Sequence, residues 1–76
     1  MTPYKVLVLD PVSQEGIEAL RQHKDFIVSR QIDLSESQII DIVGDFEALF
    51  VRSQTTITER ILQHAKKLKL IARAGV

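Results

Sequence analysis

The chain contains no cysteine and no tryptophan, and it has only three glycines and two prolines among 76 residues. Without cysteine it has no disulfide scaffold, cysteine-ligated zinc site or thiol nucleophile, which is compatible with a reducing compartment. Ten basic residues balance ten acidic ones, so charge gives no reason to expect nucleic acid or an anionic membrane as a partner. The apolar runs are far shorter than the roughly 20 residues of a membrane helix. We therefore expect a cytoplasmic protein with neither kind of partner.

Short apolar runs alternate along the chain with segments of helical period. The runs predict buried strands at residues 5–10, 26–28, 48–51 and 68–72. Ser13 is expected to cap a first helix that ends near His23. A capping box of Ser35 and Gln38 opens the second helix, and Gly44 ends it. The alternation predicts an α/β fold with a parallel sheet.

The third predicted helix follows the third strand. Thr56 and Glu59 have the spacing of a capping box, so the helix is expected to begin there, and Lys66 and Lys67 suit its end. Its predicted apolar face consists of Ile57, Ile61, Leu62 and Ala65.

Right-handed crossovers and a strand order of 2-1-3-4 would place the first helix on one face of the sheet and the other two on the opposite face. One face would then lack full cover. With 76 residues the chain is expected to be the front half of a larger domain.

Arg52 and Ser53 follow the third strand at the predicted switch point between strands 1 and 3, where doubly wound sheets bind ligands. A guanidinium and a hydroxyl at this place can hold a carboxylate or phosphate, and helix amides opening near Thr56 would favour an anion. In the structural alternative, Arg52 pairs with Asp10 or a surface acid, and the hydroxyl residues only form a turn and a cap.

Other chemistries find less support in the sequence. The acidic residues lack metal-ligand spacing, so no metal site is predicted, and His23 and His64 are expected to be surface residues without a catalytic partner. A receiver-like phosphoacceptor would need a second acid beside Asp10 and an aspartate where Arg52 stands. A small non-enzymatic α/β binding module, complete in 76 residues, remains an alternative.

Four segments resemble the D-isomer-specific 2-hydroxyacid dehydrogenase family, and most closely its phosphoglycerate branch. They are KVLVLDP at 5–11, EGIEAL at 15–20, VRSQTT at 51–56 and LKLIARAGV at 68–76. The resemblance covers the whole chain. It implies that residues 1–76 are the N-terminal portion of a flavodoxin-like substrate-binding domain, incomplete at about four strands and three helices. It also implies an NAD-dependent oxidoreductase of serine biosynthesis that acts on a small anionic 2-hydroxy acid such as 3-phosphoglycerate, homo-oligomeric when full length.

The resemblance assigns substrate contacts to particular positions. Arg52 and Ser53 would contact the anionic groups of the substrate, and Gly75 with Val76 would begin a loop whose amides hold its carboxylate. Arg73 is a further candidate. The family's catalytic residues have no counterpart in this chain, so no catalytic residue is predicted.

A dinucleotide site is not expected here. The three glycines do not form the Gly-x-Gly-x-x-Gly fingerprint, so no cofactor-binding residue is predicted. NAD would be bound by a nucleotide-binding domain that this chain lacks, and the chain alone is expected to be inactive.

Overall fold

The computed structural model describes residues 4–73, which form one four-stranded sheet with three helices. The strands are β1 (Tyr4–Val8), β2 (Phe26–Arg30), β3 (Ala48–Val51) and β4 (Leu70–Arg73). The helices are α1 (Gln14–Gln22), α2 (Glu36–Val43) and α3 (Glu59–His64). All the strand pairs are parallel and the order is β2-β1-β3-β4, which confirms the predicted α/β class and the predicted order.

β1 lies at the centre of the sheet because its side chains are apolar on both faces. Val6, Leu7 and Val8 are all buried, as the continuous apolar run predicts. Val6 is in register with Val28 on one side and with Ala48 on the other.

The larger core lies between the sheet and two helices. It is formed by side chains of β1, β3, α2 and α3, the loop that follows β1, and Phe46; these are Leu7, Leu9, Ile39, Val43, Phe46, Leu49, Val51 and Ile61. Because side chains alternate along a strand, Val6 and Val8 point to the opposite face, where Ile17 of α1 is buried. The helices are therefore distributed as predicted, with one on the first face and two on the second.

The exposed apolar side chains lie on both faces of the sheet. Tyr4, Ile27, Leu70 and Ile71 are 41%, 48%, 59% and 41% exposed. The register places Ile27 and Ile71 on the face of α2 and α3, and Tyr4 and Leu70 on the face of α1. At β3 the α1 face is the less covered one, as predicted, because Ala48 and Phe50 are half-buried there whereas Leu49 and Val51 are buried on the opposite face. The outer strands β2 and β4 are left partly exposed on both faces.

The first two helices begin as predicted. The Ser13 hydroxyl accepts a hydrogen bond from the Gly16 N–H at 3.1 Å and caps α1. In α2 the Ser35 hydroxyl accepts from the Gln38 N–H at 3.2 Å, while the Gln38 side chain accepts from the Ser35 N–H at 2.8 Å. Gly44 is the C-cap of α2. No helix among residues 4–73 is long and apolar enough to cross a membrane.

The predicted start of α3 at Thr56 and Glu59 is wrong, because Thr58 is the N-cap. The Thr58 hydroxyl accepts from the Ile61 N–H at 3.2 Å and donates to Glu36 Oε2 at 2.6 Å. This contact with the first turn of α2 determines where α3 begins.

The rest of α3 and the start of β4 also differ from the prediction. Ile57 lies before α3, and Leu62 is 46% exposed, so the buried face is narrower than predicted. Ala65 is the C-cap, which places Lys66 and Lys67 beyond the helix. β4 begins at Leu70, two residues later than predicted.

Candidate functional site

The candidate site lies at the carboxyl ends of β1 and β3, the central pair of the sheet. The chain leaves β3 through residues 52–58, which we name the β3 loop, before α3 begins. Parallel strands of an open α/β sheet bring their ligand-binding loops together at this edge.

The Asp10 carboxylate binds the β3 loop through hydrogen bonds. The side chain follows β1 and is 1% exposed. Its Oδ2 accepts the N–H of Arg52 at 2.6 Å and the N–H of Thr55 at 3.0 Å. Its Oδ1 accepts a hydrogen bond from the Thr55 hydroxyl. The carboxylate therefore holds two points of the loop and satisfies donors that the sheet no longer pairs.

Asp10 is ionised near neutral pH. Burial alone would raise its pKa, but hydrogen bonds from the Thr55 hydroxyl and from the N–H groups of Arg52, Thr55 and Gln54 outweigh burial. The net effect is a pKa below the ordinary value of 3.8.

Arg52 takes part in this arrangement through its main chain. Its side chain is exposed, and its Nη1 donates to the Pro11 carbonyl oxygen at 3.2 Å. The structural alternative of an Arg52–Asp10 ion pair is wrong, because Asp10 accepts the Arg52 N–H and not the guanidinium. The guanidinium remains at the surface beside the loop that follows β1.

A groove of about 280 Å³ lies between the β3 loop and β4. It is lined by hydroxyl, apolar and cationic side chains, namely Val51, Ser53, Thr55, Thr56, Ile57, Ile71 and Arg73. The structure thus brings two predicted site residues, Ser53 and Arg73, to one groove, while Arg52 is not among its lining residues. The other two predicted residues, Gly75 and Val76, lie outside the described residues.

The donors in this groove differ from those predicted. Thr55 directs its hydroxyl proton to Asp10, which leaves the hydroxyls of Ser53 and Thr56 and the Arg73 guanidinium as donors. The sequence predicted that the free N–H groups at the start of α3 lie near Thr56. Thr58 is the N-cap instead, so these N–H groups follow Thr58.

A second crevice, of about 420 Å³, lies on the other side of Thr55. It is formed by the β3 loop, the end of β1 and the start of α2, with Asp10, Asp33, Leu34, Ser35, Gln38, Gln54 and Thr55 as lining residues. Asp33 has a positive φ of 63°, a left-handed conformation that Asp tolerates better than most residues. Thr55 lines both cavities and so forms part of the wall between them.

The sequence correctly predicted that Arg52 and Ser53 lie at the carboxyl end of β3. It did not predict the roles of Asp10 and Thr55. An aspartate directly after a buried strand, with a threonine in the facing loop, was the available indication. It could not show that the aspartate binds main-chain N–H groups.

The two histidines are exposed, as predicted. The His23 ring stacks on Phe26 with 4.4 Å between centroids, and His64 Nδ1 lies 2.8 Å from the Arg60 carbonyl oxygen. Within residues 4–73, no three histidine, aspartate or glutamate side chains form a group that could hold a metal ion.

Residues 6–76 match the profile of the family described as D-isomer specific 2-hydroxyacid dehydrogenase, catalytic domain. The D-3-phosphoglycerate dehydrogenase of Synechocystis sp. is 47% identical over 99% of this chain and 13% of that protein. The enzyme of the same name from Archaeoglobus fulgidus is 42% identical over 95% of this chain and 14% of that protein. A hydroxypyruvate reductase of Thermotoga maritima is 34% identical over 100% of this chain and 24% of that protein.

A solved structure has the same fold. The PH0520 protein from Pyrococcus horikoshii OT3 superposes with a TM-score of 0.86 at 28% identity, over 95% of this chain and 21% of that one. The chain thus spans between 13% and 24% of the length of these proteins. It corresponds to the N-terminal part of the D-3-phosphoglycerate dehydrogenases that it matches.

Proposed function

The chain belongs to the D-isomer specific 2-hydroxyacid dehydrogenase family, and we propose that it forms the N-terminal portion of the substrate-binding domain of an NAD-dependent D-3-phosphoglycerate dehydrogenase. The observation that carries this proposal is the family match over residues 6–76. Membership of an oxidoreductase family argues against the two alternatives, a receiver-like domain and a small non-enzymatic α/β binding module.

The proposed substrate is a small anionic 2-hydroxy acid such as 3-phosphoglycerate. The groove beside β4 supports this choice, because Ser53, Thr56 and Arg73 offer hydroxyl and guanidinium donors to a carboxylate or phosphate. Arg52 lies next to Ser53, and within residues 4–73 its guanidinium donates only to the neutral carbonyl oxygen of Pro11. An anionic group would be a stronger acceptor for that guanidinium than the carbonyl is.

The remaining proposed contacts come from the resemblance alone. Gly75 and Val76 would begin a loop whose main-chain amides hold the substrate carboxylate. The whole enzyme would act in the cytoplasm as a homo-oligomer in serine biosynthesis.

NAD does not fit the residues that the structure describes. A dinucleotide site needs glycines in the turn between the first strand and its helix. Gly16 instead lies within α1 and Gly44 is the C-cap of α2, and residues 9–13 after β1 contain no glycine. We assign NAD binding to a domain outside this chain.

Steady-state kinetics of a full-length dehydrogenase that carries this segment test the substrate contacts. Arg52→Ala, Ser53→Ala and Arg73→Ala should each lower kcat/KM for the hydroxy acid. A lost charge-assisted contact is worth about 1.5–3 kcal/mol, so the two arginine variants should fall roughly ten- to hundredfold. Arg52→Lys should recover only part of the loss, because an ammonium lacks the planar fork of a guanidinium. The KM for NAD should not change.

Arg21→Ala is the matched control, since it removes an exposed arginine from the last turn of α1. It should leave kcat/KM unchanged. Unchanged kcat/KM in all three site variants would refute the proposed substrate contacts.

Calorimetric titration of the 76-residue chain with NAD tests the assignment of the cofactor to another domain. We expect no saturable binding and no dehydrogenase activity. Saturable binding at micromolar NAD would contradict the assignment.

A further inference from the structure

We infer that Asp10 is a positioning residue that holds the β3 loop in the conformation in which Ser53 faces the substrate groove. The inference rests on the proposed function, because it concerns the groove that we assign to the hydroxy acid. Asp10 itself is not among the residues that line this groove.

The contacts of the carboxylate define the shape of the loop. Asp10 Oδ2 accepts N–H groups from Arg52 and Thr55, which are the first and fourth residues of the loop. Two anchors three residues apart force the stretch between them to turn around the carboxylate. Ser53 then lines the groove beside β4, and Gln54 lines the crevice beside α2. The turn thereby directs consecutive side chains to different cavities.

Thr55 completes the arrangement. Its N–H and its hydroxyl both donate to Asp10, so the residue is fixed at two atoms. Because Thr55 also lines both cavities, its position sets the boundary between the groove and the crevice.

Direct contact between Asp10 and the substrate is a poorer explanation of these contacts. Both carboxylate oxygens are already hydrogen-bonded, and the side chain is 1% exposed. An anionic substrate would also be repelled by a second negative charge. The carboxylate therefore acts through the loop that it binds.

Three variants test the inference, and a fourth serves as the control. Asp10→Asn replaces one acceptor oxygen with a donor, and Thr55→Val removes the hydroxyl at nearly constant shape. Thr55→Ser retains the hydroxyl and should restore the wild-type behaviour. Glu47→Gln is the matched control, because Glu47 Oε1 accepts the Lys5 N–H at 2.6 Å at the opposite end of the same two strands.

Amide hydrogen exchange in the 76-residue chain reads the loop directly. Asp10→Asn should speed the exchange of the Arg52 and Thr55 amides roughly tenfold or more relative to β1 amides, with a smaller effect in Thr55→Val. Thr55→Ser and Glu47→Gln should leave these two amides protected. Unchanged exchange in Asp10→Asn would overturn the inference, whether or not the groove binds substrate.

Kinetics of a full-length dehydrogenase that carries this segment read the consequence for the reaction. Asp10→Asn and Thr55→Val should raise KM for the hydroxy acid roughly tenfold while changing kcat less, with rescue by Thr55→Ser. Glu47→Gln should change neither constant.

The outcomes separate this inference from the proposed function. If Ser53→Ala raises KM but Asp10→Asn and Thr55→Val do not, the positioning role is wrong and the substrate groove stands. If Ser53→Ala, Arg52→Ala and Arg73→Ala all leave KM unchanged, the groove is not the substrate site. The positioning role of Asp10 in this reaction then fails with it.

Discussion

The two ends of the central strand pair are each closed by a carboxylate that accepts a main-chain N–H from a residue 42 positions away. At the amino end, Glu47 Oε1 accepts the Lys5 N–H at 2.6 Å. At the carboxyl end, Asp10 Oδ2 accepts the Arg52 N–H, also at 2.6 Å. The same kind of contact serves two different purposes because its surroundings differ.

At the amino end the main chain already joins the strands. The Glu47 N–H donates to the Lys5 carbonyl oxygen at 3.0 Å, and the Glu47 carbonyl oxygen accepts the Lys69 N–H at 2.7 Å. The ammonium of Lys5 lies 5.6 Å from the centre of the Phe46 ring, and that of Lys69 lies 5.5 Å from the centre of the Tyr4 ring. The Glu47 carboxylate therefore adds to contacts that exist without it.

At the carboxyl end the chain leaves the sheet, and side chains take over the pairing. The last main-chain bond between the two segments is from the Leu9 N–H to the Phe50 carbonyl oxygen at 3.0 Å. Beyond it, the Asp10 carboxylate binds the loop, and two cavities open beside it. The end with the candidate site therefore depends on individual side chains, whereas the other end depends on the backbone.

The largest expected effect on stability is that of Asp10→Asn. An asparagine has one acceptor oxygen and presents an NH₂ group to a place where donors of Arg52, Gln54 and Thr55 converge. We expect the free energy of unfolding to fall by about 1.5–3 kcal/mol at pH 7, the range for hydrogen bonds to a charged group. Urea unfolding monitored by circular dichroism measures this difference. A loss of stability smaller than that of Glu47→Gln would contradict the stated difference between the two ends of the strand pair.

The effect of Asp10 should depend on pH. Its pKa is lower in the folded chain than the ordinary value of 3.8, so the unfolded chain takes up the proton first. The stabilisation by the ionised Asp10 is therefore fully present above the unfolded pKa of about 3.8 and is lost as the pH falls through the lower folded pKa. The difference between wild type and Asp10→Asn should be constant from about pH 7 to pH 5 and should shrink below about pH 4. A difference that persists unchanged in stronger acid would contradict the assignment.

The next effect concerns the far end of the β3 loop. Thr58→Ala should lower the free energy of unfolding by about 1 kcal/mol, because it removes the N-cap of α3. Thr56→Ala is the control, since Thr56 is exposed and caps no helix, and it should change stability by less than about 0.5 kcal/mol. Thermal melts of the two variants compare them. A larger loss of stability in Thr56→Ala than in Thr58→Ala would favour the capping box of Thr56 and Glu59 that the sequence predicted.

Glu47→Gln should have a small effect. The glutamine oxygen can still accept the Lys5 N–H, and the main-chain bonds on either side remain. We expect a change within about 0.5 kcal/mol. A loss equal to that of Asp10→Asn, measured in the same urea titration, would show that the two ends do not differ.

The smallest effect on stability is expected for Leu70→Lys, at the amino end of β4, one of the two edge strands of the described sheet. Leu70 is 59% exposed, so its replacement should change stability by less than about 0.5 kcal/mol. Exposed apolar strand edges favour association, and a lysine opposes it. Sedimentation at high concentration should show less self-association than in wild type. Leu62→Lys, on the exposed side of α3, is the control and should not reduce association.

Local patterns in the sequence predicted the elements well. The Ser35 and Gln38 capping box and the Gly44 stop depend only on neighbouring residues, and both are confirmed. The strand order 2-1-3-4, taken from the doubly wound pattern of alternating strands and helices, is also confirmed.

The errors concern contacts between distant segments. Thr56 and Thr58 are both plausible caps in the sequence, and the choice of Thr58 depends on its bond to Glu36 in another helix. Arg52 was placed at the correct edge, but the bond of its guanidinium to the Pro11 carbonyl crosses 41 residues. The pairing of Asp10 with the β3 loop is of the same long-range kind. No local pattern encodes such partners.

The 42-residue separation between β1 and β3 has a consequence for how the chain folds. The unit of β1, α1 and β2 can close once the chain has been synthesised to Arg30, because its strands are neighbours along the chain. The pairing of β1 with β3, by contrast, must wait until Val51 is available. Closing the longer loop costs more conformational entropy, and long-range contacts slow folding. The β1–β2 side of the sheet should therefore form early. The β3 loop, which Asp10 holds, should be among the last parts to order.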